Sequence, residues 1–538
     1  MLIPNPQPLI HSPLTESEGT RKLMRTLRRA TAVAVLTATA VVLSGCTLLA
    51  PLLGGGETTV TTHTDESVAP GLEQFYKQDV TWKNCGGGYD CTTLKAPVDW
   101  NEPDGDQIEL AISRHKASGG HSKGSLLINP GGPGGSGFDF AQGFIPSDGV
   151  YSNFDIIGFD PRGVGQSTPI VCFTDDADRD EMIYGTFDGP YGSDVWQTEL
   201  AERQKKWVDA CAANTGDLLA HIDSTSVAHD MDMIRAVLGD KKLNYLGFSF
   251  GTYLGTVYAE LFPDKVGRMV LDGAVEPPFG TFDELATQMA GFDSAFKAYM
   301  QDCLDSGDCP FDGPLPQALA EAHQLILSVD GKGLTSSDGR VLDSATVGTG
   351  VALTLYNQSN WFFLTLVFQG LQQGDADAAF QAADSYNGRD SGGGYADRSL
   401  DVYFAVTCAE GTIGTDDVDL LTGLGIMDEK GPYVGGILAL DDYVLLEEAC
   451  SQWPYPRPDF PETFDAEGAP PILVIGTTND PATPYAQSVA LADELSSGVL
   501  ITYNGEGHTV YGNGVTCIDD TVDDYFVKDV VPSADPNC

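Results

Sequence analysis

The chain contains few positively charged residues. Lys and Arg together number 29 of 538 residues against 77 Asp and Glu, which gives a formal net charge of −48. A surface this acidic repels phosphate backbones, so nucleic-acid binding is not the expected function. The hydrophobic content of 42% is that of a globular protein. A chain of this length predicts two domains or one elaborated domain.

The N-terminal region lacks an apolar run long enough to span a membrane. The uncharged run at residues 30–43 follows a basic segment and is shorter than the about 20 residues that a spanning helix needs. A basic region, a short apolar region and small residues are typical of a secretory signal. The sequence "LSGC" resembles a bacterial lipobox, so we predict a signal peptide at residues 1–45 and lipidation of Cys46. A plain signal peptide with an incidental cysteine is the alternative.

The sequence also lacks the paired CxxC and HExxH patterns that are typical of zinc sites, so we expect no metal. Ten cysteines remain once Cys46 is set aside for lipid, and an even number in an exported protein predicts disulfides. Spacing alone does not fix the connectivity. Sequential pairing is favoured because each consecutive pair stays within one apparent structural region: Cys85–Cys91, Cys172–Cys211, Cys303–Cys309, Cys408–Cys450 and Cys517–Cys538.

Short apolar runs alternate with helix-like segments along much of the chain. Near-continuous Val, Ile, Leu and Phe content is typical of strands in a parallel sheet that is covered on both faces. The helix-like segments between them predict an α/β fold. The predicted strands lie at residues 124–130, 154–160, 242–249, 267–273, 471–478 and 498–504.

The alternation of strands and helices predicts five regions. The signal peptide is followed by a polar, Gly- and Thr-rich flexible tether at residues 46–71. The α/β core occupies residues 72–275 and resumes at residues 469–538. The intervening residues 276–468 carry mainly helical signals, and they predict a mostly helical second domain inserted into the core.

Ser249 lies in "GFSFG", between an apolar run and a helix-like run. A strand that turns sharply into a helix can present one side chain at the edge of a sheet, and the turn has room only for glycine two residues on either side. Gly247 and Gly251 meet this requirement. The pattern is that of the G-x-S-x-G nucleophile elbow, so Ser249 is the predicted nucleophile.

A serine nucleophile needs a base, and the base needs a carboxylate to orient it. His508 follows the last predicted strand in "NGEGHTVYG", and Asp480 follows the strand before it in "GTTNDPATP". Asp272, at the end of the fourth predicted strand, is the alternative acid. The order of Ser249, Asp480 and His508 along the chain is the order found in the nucleophile-elbow enzymes.

The oxyanion of a tetrahedral intermediate needs amide donors. The residue after the nucleophile supplies one, which predicts the backbone N–H of Phe250. The glycine-rich loop "INPGGPGGSG" supplies the other, from Gly132 or alternatively from Gly131. A phosphate-binding loop is not expected, because no Gly-Lys-Ser/Thr follows the glycines.

Five motifs in chain order carry a resemblance to one family. "NPGGPGGSG", "DPRGVGQS", "GFSFGTYLG", "GTTNDPATP" and "GEGHTVYG" together resemble the tripeptidyl aminopeptidase-like branch of the α/β-hydrolases, related to prolyl aminopeptidases. Prolyl aminopeptidases carry HGGPG where this chain has "PGGPG", which favours the tripeptidyl branch. The exported form resembles the actinobacterial cell-envelope members. The resemblance implies a mostly parallel sheet flanked by helices, the triad Ser249, Asp480 and His508, and a helical cap over the active site.

An aminopeptidase must recognise a free ammonium group, and a buried cation needs carboxylate partners. The resemblance implies that an acid of the cap does this, and Glu410 in "VTCAEGT" is the candidate. If three residues are released, the ammonium anchor should lie about 10 Å from the Ser249 oxygen, because extended chain spans about 3.3–3.6 Å per residue. Thr483 is a candidate for fixing the loop of the triad acid.

The sequence therefore predicts a serine aminopeptidase, lipid-anchored outside the cytoplasm, that releases N-terminal tripeptides or other short peptides. We expect a monomer with no cofactor, peptide substrates with a free N-terminus, no nucleic-acid partner, and contact with the membrane only through the lipid. A carboxylesterase with the same triad and a non-catalytic binding lipoprotein are the alternatives.

Overall fold

The structure is a computed structural model, and it describes residues 57–538 except residues 145, 412, 414–417, 441, 459, 462 and 534. The predicted signal peptide, Cys46 and the first part of the predicted tether lie outside the described residues. Within the described ranges, no helix is both long enough and apolar enough to cross a membrane.

One sheet of ten strands forms the centre of the described chain. Its strand order is β1-β2-β3-β4-β6-β5-β7-β8-β9-β10. The strands are β1 Thr58–Val60, β2 Val80–Gly86, β3 Tyr89–Pro97, β4 Gln107–His115, β5 Ser125–Asn129, β6 Asp155–Phe159, β7 Leu243–Phe248, β8 Val266–Asp272, β9 Ile472–Asn479 and β10 Gly498–Glu506.

The two halves of the sheet differ in strand direction. Strands β5 to β10 pair in parallel throughout, whereas β1 to β4 form an antiparallel half that joins the rest through β4 and β6. The six apolar runs predicted as strands are β5 to β10. Because β7 and β9 are buried along nearly their whole length, helices must cover both faces, as expected for a parallel sheet. The predicted α/β fold is confirmed.

The helices fall into a group that flanks the sheet and a group that forms the insertion. Those that flank the sheet are α1 Glu73–Tyr76, α2 Gly137–Gly143, α3 Asp148–Asn153, α6 Ser224–Val237, α7 Phe250–Leu261, α17 Tyr485–Glu494 and α18 Thr516–Lys528. Two further helices, α4 Asp176–Tyr184 and α5 Asp194–Thr215, lie between β6 and β7.

The segment between β8 and β9 is mostly helical, as predicted, and forms the cap. Its helices are α8 Phe282–Ser306, α9 Leu315–Leu327, α10 Ser344–Leu355, α11 Trp361–Gln373, α12 Asp377–Asn387, α13 Ser399–Glu410, α14 Leu420–Lys430, α15 Gly435–Leu438 and α16 Asp442–Ser451.

Helices α4 and α5 belong to the cap by their contacts, although the sequence assigned them to the core. Arg179 of α4 lies 3.1 Å from the Asp401 carboxylate of α13. Trp207 of α5 donates to the same carboxylate at 2.9 Å and stacks on Trp453. The cap is thus built from two segments of the chain, and the predicted core boundary at residues 72–275 includes one of them.

The predicted tether is ordered from residue 57 onward. Strand β1 pairs antiparallel with β2, and the Thr64 amide donates to the Ala236 carbonyl of α6 at 2.8 Å. Glu66 lies 2.6 Å from both Arg235 and Lys265. The tether boundary predicted at residue 71 is therefore wrong, because residues 57–71 add a strand and an ion-pair network to the core.

The ten cysteines form the five sequential pairs. Cys85–Cys91 and Cys303–Cys309 close short loops. Cys172–Cys211 ties the loop after β6 to α5. Cys408–Cys450 joins the cap helices α13 and α16, and Cys517–Cys538 fastens the C-terminus to α18. Each bridge is expected to contribute about 2–4 kcal/mol to stability.

Candidate active site

Ser249 lies in the turn between β7 and α7, with backbone angles φ 54° and ψ −132°. A residue other than glycine rarely adopts a positive φ, and such a conformation costs about 1–3 kcal/mol. The surrounding structure holds it in place. The Ser249 amide donates to the Asp272 carbonyl at 3.0 Å, and Thr252 Oγ1 donates to the Ser249 carbonyl at 2.6 Å.

The two glycines of the elbow are required by close backbone approach. A Cβ atom at Gly247 would lie 2.4 Å from the Gly251 carbonyl oxygen, and one at Gly251 would lie 2.7 Å from the Asn129 carbonyl oxygen. Both distances are far below van der Waals contact. The strand and the helix can therefore meet at this angle only with glycine at both positions, which is the reason for the G-x-S-x-G pattern.

His508 and Asp480 are in direct contact. The His508 Nδ1 atom lies 2.8 Å and 2.9 Å from the two carboxylate oxygens of Asp480, to which it donates. Both side chains are buried. The Nε2 atom of His508 is buried and has no hydrogen-bond partner among the described residues. The carboxylate thus fixes the ring so that Nε2 is the free nitrogen.

The Asp480 carboxylate holds the loop around it in place through hydrogen bonds. Asp480 Oδ1 accepts from the amides of Ala482 and Thr483, each at 2.9 Å. Thr483 Oγ1 donates to Asp480 Oδ2 at 3.1 Å and lies 3.3 Å from His508 Nδ1. Thr483 therefore contacts both the acid and the imidazole, in line with the role expected for it.

Asp272, the alternative acid, binds the histidine loop rather than the histidine ring. Its Oδ2 accepts from the amides of Val510 and Tyr511 at 3.0 Å and 2.7 Å. Its Oδ1 has no partner among the described residues. Burial raises the pKa of Asp272 to about 6. The structure therefore places Asp480, and not Asp272, on the imidazole.

The sheet order explains why these distant residues meet. Ser249 follows β7, Asp272 ends β8, Asp480 follows β9 and His508 follows β10. These four strands are neighbours and run parallel. Their carboxyl ends share one edge of the sheet, where ligands bind in open α/β sheets.

One cavity at this edge is lined from both the core and the cap. The core contributes Ser249, Phe250, Gly132 and Thr483. The cap contributes Glu284 and Gln288 of α8, Tyr403 and Thr407 of α13, and Leu446 of α16. Since Thr483 also contacts the His508 ring, the cavity brings together the predicted nucleophile, the loop of the base and a polar wall from the cap.

The glycine-rich loop favours Gly132 over Gly131 as the second oxyanion donor. The Gly131 amide is already used, because it donates to Asn129 Oδ1 at 2.8 Å. Gly132 lines the cavity beside Ser249. Phe250 is the first residue of α7, and the amides of a first helical turn have no acceptor within the helix. Phe250 and Gly132 both line the cavity of Ser249, and their amides remain the predicted oxyanion donors.

The "DPRGVGQS" motif supports this loop from behind. Asp160 accepts from the Ser136 hydroxyl at 2.7 Å and from the Phe138 amide at 3.1 Å, which fixes the start of α2 directly after the glycines. Arg162 forms a two-pronged, fully buried ion pair with Asp230, at 2.8 Å for each contact. The motif is structural, and it sets the position of the oxyanion loop.

Glu410 does not reach the cavity, so the sequence-based prediction of its role finds no support. The side chain is fully buried, and its Oε1 accepts from the Ser224 amide at 2.5 Å at the start of α6. Burial raises the pKa of Glu410 to about 8. The residue ties the end of α13 to the core, and it does not line the space beside Ser249.

Another cap acid lines the cavity that Glu410 was expected to reach, and a second acid lies near it on the cap. Glu284 lines the cavity with Ser249, and burial raises its pKa to about 7. Asp442 lies at the start of α16, where burial raises its pKa to about 6. Neither acid forms an ion pair with a Lys, Arg or His among the described residues. No motif surrounds either residue in the sequence, so only the fold reveals them.

Residues 124–515 match the model of the alpha/beta hydrolase fold family. The chain belongs to the α/β-hydrolase family. The matched range spans most of the chain, and it contains the elbow, the glycine-rich loop, the cap and the acid and histidine loops. The α/β-hydrolase assignment agrees with the parallel half of the sheet and with the order of the site residues along the chain.

Relatives of this α/β-hydrolase carry hydrolase names. It is 35% identical over 480 residues to the serine protease Hip1 of Mycobacterium tuberculosis, covering 86% of this chain and 91% of that protein. It is 35% identical over 455 residues to carboxylesterase B of the same organism (83% and 86%). It is 30% identical over 482 residues to the tripeptidyl aminopeptidase of Streptomyces coelicolor (85% and 86%). The α/β-hydrolase is a serine hydrolase and resembles the tripeptidyl aminopeptidase-like branch.

Proposed function

We propose that this hydrolase is an extracytoplasmic serine aminopeptidase that releases short peptides, of about three residues, from free N-termini. The observation that carries the proposal is the cap acid Glu284, which lines the cavity of Ser249 and, like the nearby Asp442, forms no ion pair with a Lys, Arg or His among the described residues. The relatives named serine protease and tripeptidyl aminopeptidase support a peptide substrate.

The proposed reaction begins when Ser249 Oγ attacks the scissile carbonyl carbon. His508 Nε2, which has no hydrogen-bond partner among the described residues, accepts the hydroxyl proton and then passes it to the leaving amine. Asp480 holds the ring and stabilises its protonated form. The resulting acyl-enzyme is hydrolysed by a water molecule, which His508 activates in the same way.

The amides of Phe250 and Gly132 bind the oxyanion of each tetrahedral intermediate. Such a donor typically contributes about 3–4 kcal/mol to lowering the barrier. The strained φ of Ser249 sets the Phe250 amide and the serine side chain toward the same space, because the helix begins at the next residue. The elbow thereby positions the nucleophile and one oxyanion donor together.

The cap acids are the proposed anchor for the substrate ammonium. A carboxyl group whose pKa is raised by burial gains from a cationic partner, since the cation offsets the cost of removing charge from water. Glu284 lines the same cavity as Ser249, and Asp442 is close enough to Glu284 to raise its pKa. An anchor there limits how many residues fit between the ammonium and the scissile bond.

A comparison of free and N-acetylated tripeptide amides of a fluorogenic amine tests this proposal. The free peptide should be cleaved at least about a hundredfold faster in kcat/KM, because acetylation removes the cation that would pair with the cap acids. Glu284→Gln should raise KM for the free peptide. It should therefore reduce the ratio of kcat/KM for the free peptide to kcat/KM for the acetylated peptide. Asp283→Asn, at the exposed neighbour on the same helix, is the matched control. Equal cleavage of free and blocked peptides would contradict the proposal.

A carboxylesterase is the second candidate, because one relative of equal identity carries that name. The catalytic triad would be the same, and the cap would bind the acyl chain of the ester. The two acids argue against it, since a hydrocarbon chain offers them no partner. Faster hydrolysis of p-nitrophenyl esters than of any free tripeptide amide would favour this candidate.

The proposed location outside the cytoplasm rests on the signal sequence and on the five disulfides, which persist in oxidising compartments. We propose that Cys46 carries the lipid anchor. Metabolic labelling with a palmitate analogue tests this, because Cys46→Ser should abolish the label and release the protein from the membrane fraction. If the variant still carries the label and still fractionates with the membrane, the proposed anchor at Cys46 is refuted.

A further inference from the structure

Asn129 is a buried polar residue to which the proposed reaction gives no role. It is the last residue of β5 and is almost completely buried. Its Oδ1 atom accepts from the Gly131 amide at 2.8 Å. Its Nδ2 atom is buried and has no hydrogen-bond partner among the described residues. Because a buried donor without a partner costs stability, the asparagine is not explained by stability alone.

This side chain lies between the two proposed oxyanion donors. In the sheet, Asn129 pairs with Gly247, the first glycine of the elbow. A Cβ atom at Gly251 would lie 2.7 Å from the Asn129 carbonyl oxygen and 2.8 Å from its Oδ1 atom. Asn129 therefore packs directly against the first turn of α7, which carries the Phe250 amide. The same Oδ1 atom holds Gly131, the neighbour of the second donor.

The conformation of Gly131 sets the direction of the Gly132 amide. The Gly131 amide is held by Asn129 Oδ1, and the Gly131 carbonyl accepts from the Gly135 amide at 3.0 Å. The first bond fixes the peptide plane before the Gly131 Cα atom, and the second fixes the plane after it. That second plane contains the Gly132 N–H, which points away from the Gly131 carbonyl because the peptide is trans.

A purely structural role for Asn129 is the competing explanation. An Asn side chain that accepts from the amide two residues later forms an Asx-turn, a common turn element. Such a turn would contribute to stability and would not act on the barrier of the reaction. The position of this turn favours a role in catalysis, because the amide that it holds belongs to the residue before a proposed oxyanion donor.

We propose that Asn129 is a positioning residue of the oxyanion hole, and that its Oδ1 atom orients the Gly131 peptide so that the Gly132 amide points at the oxyanion. This inference rests on the part of the proposed function that assigns Phe250 and Gly132 as donors. It does not depend on whether the substrate is a peptide or an ester. The oxyanion is absent from the bound substrate, so loss of the Oδ1 contact should lower kcat and leave KM nearly unchanged.

The test compares Asn129→Thr with Asn129→Val in the mature enzyme. The two side chains have the same shape, but only the threonine hydroxyl can accept from an amide two residues later. The kcat of the Thr variant should stay within about tenfold of the wild type. The kcat of the Val variant should be at least about tenfold lower still, which is part of the 10²–10³-fold that one oxyanion donor contributes. KM should change by less than about threefold in both.

Two substrates, Ala-Ala-Ala-aminomethylcoumarin and p-nitrophenyl acetate, are used in parallel. Active enzyme is counted by the end point of fluorophosphonate labelling. An alkyl trifluoromethyl ketone supplies a readout that a structural role would not move, because Ser249 adds to it and forms an oxyanion in the same place. Its Ki should rise from wild type to Thr to Val in proportion to the fall in kcat/KM.

The control is the same pair of substitutions at Asn244, near the amino end of β7 and away from Ser249. The Asn244 side chain also binds backbone, since its Nδ2 donates to the Ser125 carbonyl at 3.1 Å and its Oδ1 accepts from the Arg268 amide at 3.2 Å. Asn244→Thr and Asn244→Val should lower Tm and leave kcat per active enzyme unchanged. Asn129→Ser and Asn129→Ala repeat the main comparison with smaller side chains if the first pair does not fold.

The outcomes separate this inference from the proposed aminopeptidase. Equal kcat for the acceptor and non-acceptor variants at Asn129, or a Ki that does not follow kcat/KM, overturns the inference and leaves Asn129 as a turn residue. If the wild type hydrolyses only p-nitrophenyl acetate and the difference between Thr and Val persists, the aminopeptidase is overturned and the inference stands.

Discussion

Replacing Asp272 by Asn separates the charge of this residue from its hydrogen bonds. A single oxygen, Oδ2, accepts from the amides of Val510 and Tyr511, and Oδ1 has no partner in the part of the chain that the structure describes. An Asn side chain whose carbonyl oxygen takes the place of Oδ2 keeps both bonds. We therefore expect Asp272→Asn to leave the loop of His508 in position while it removes one buried negative charge.

The magnitude follows from the pKa of Asp272, which burial raises from 3.8 to about 6. The folded state holds this proton more tightly than the unfolded state. The free energy of unfolding therefore falls as the pH rises from about 4 to about 6, and it stays lower above that range. About two pKa units correspond to about 3 kcal/mol. The Asn variant has no such proton, so it should gain about this much stability relative to the wild type between pH 4 and pH 8.

Thermal unfolding of both proteins at pH 4 and pH 8 measures the effect. The Tm of the variant minus that of the wild type should be more positive at pH 8 than at pH 4. Activity should change in the opposite direction. The kcat/KM at pH 8 should fall several-fold, because the lost charge attracts the protonated imidazole of His508.

The control for this prediction is Asp520→Asn, which removes one charge from an exposed position on α18. It should change neither the pH dependence of Tm nor kcat/KM. A Tm difference between Asp272→Asn and the wild type that is the same at both pH values would refute the reasoning, because the charge of Asp272 would then carry no net cost in the fold.

Three further substitutions test other parts of the site. Ser249→Ala should abolish covalent labelling by a fluorophosphonate, and labelling that persists in this variant would exclude Ser249 as the nucleophile. Gly131→Ala should lower kcat about 10²–10³-fold with little change in KM, because its Cβ would lie 2.5 Å from the Phe248 carbonyl and 2.8 Å from the Phe250 amide; Gly120→Ala, also at positive φ but in open space, is the kinetic control and should be near wild type. Asp230→Asn should destabilise the fold by about 3–5 kcal/mol, since it leaves Arg162 charged and buried, and an unchanged midpoint of chemical unfolding would contradict this.

The parallel half of the sheet could be predicted because its strands obey a simple rule. Strands covered on both faces must be apolar along their whole length, and the six apolar runs became β5 to β10. The antiparallel half obeys no such rule in this sequence. Strand β1, Thr58–Val60, is short and mostly exposed, so its pairing with β2 could not be inferred from its composition.

The core part of the site could be predicted because backbone geometry restricts residue choice there. The elbow needs glycine on either side of Ser249, and the site residues must follow strands, which fixes their order along the chain. The cap part could not be predicted, because helices accept an acid at any position. Glu410 and Glu284 look alike in sequence. Only the packing of α13 against α6 directs one away from the cavity, and the position of α8 directs the other into it.

Several residues around the cavity of Ser249 adopt conformations or environments that lower the stability of the fold, and this supports the assignment of the active site. Ser249 has a positive φ. Within residues 57–538 as described, Oδ1 of the buried Asp272 and Nε2 of the buried His508 have no hydrogen-bond partner. The buried pair of Arg162 and Asp230 is by contrast joined by two hydrogen bonds. A strained backbone or an unpaired buried polar atom lowers the stability of the fold, so its presence indicates selection for something other than stability. Ser249, Asp272 and His508 lie at the carboxyl ends of β7, β8 and β10, within a run of four neighbouring parallel strands. A single chemical task at that edge of the sheet accounts for all of them.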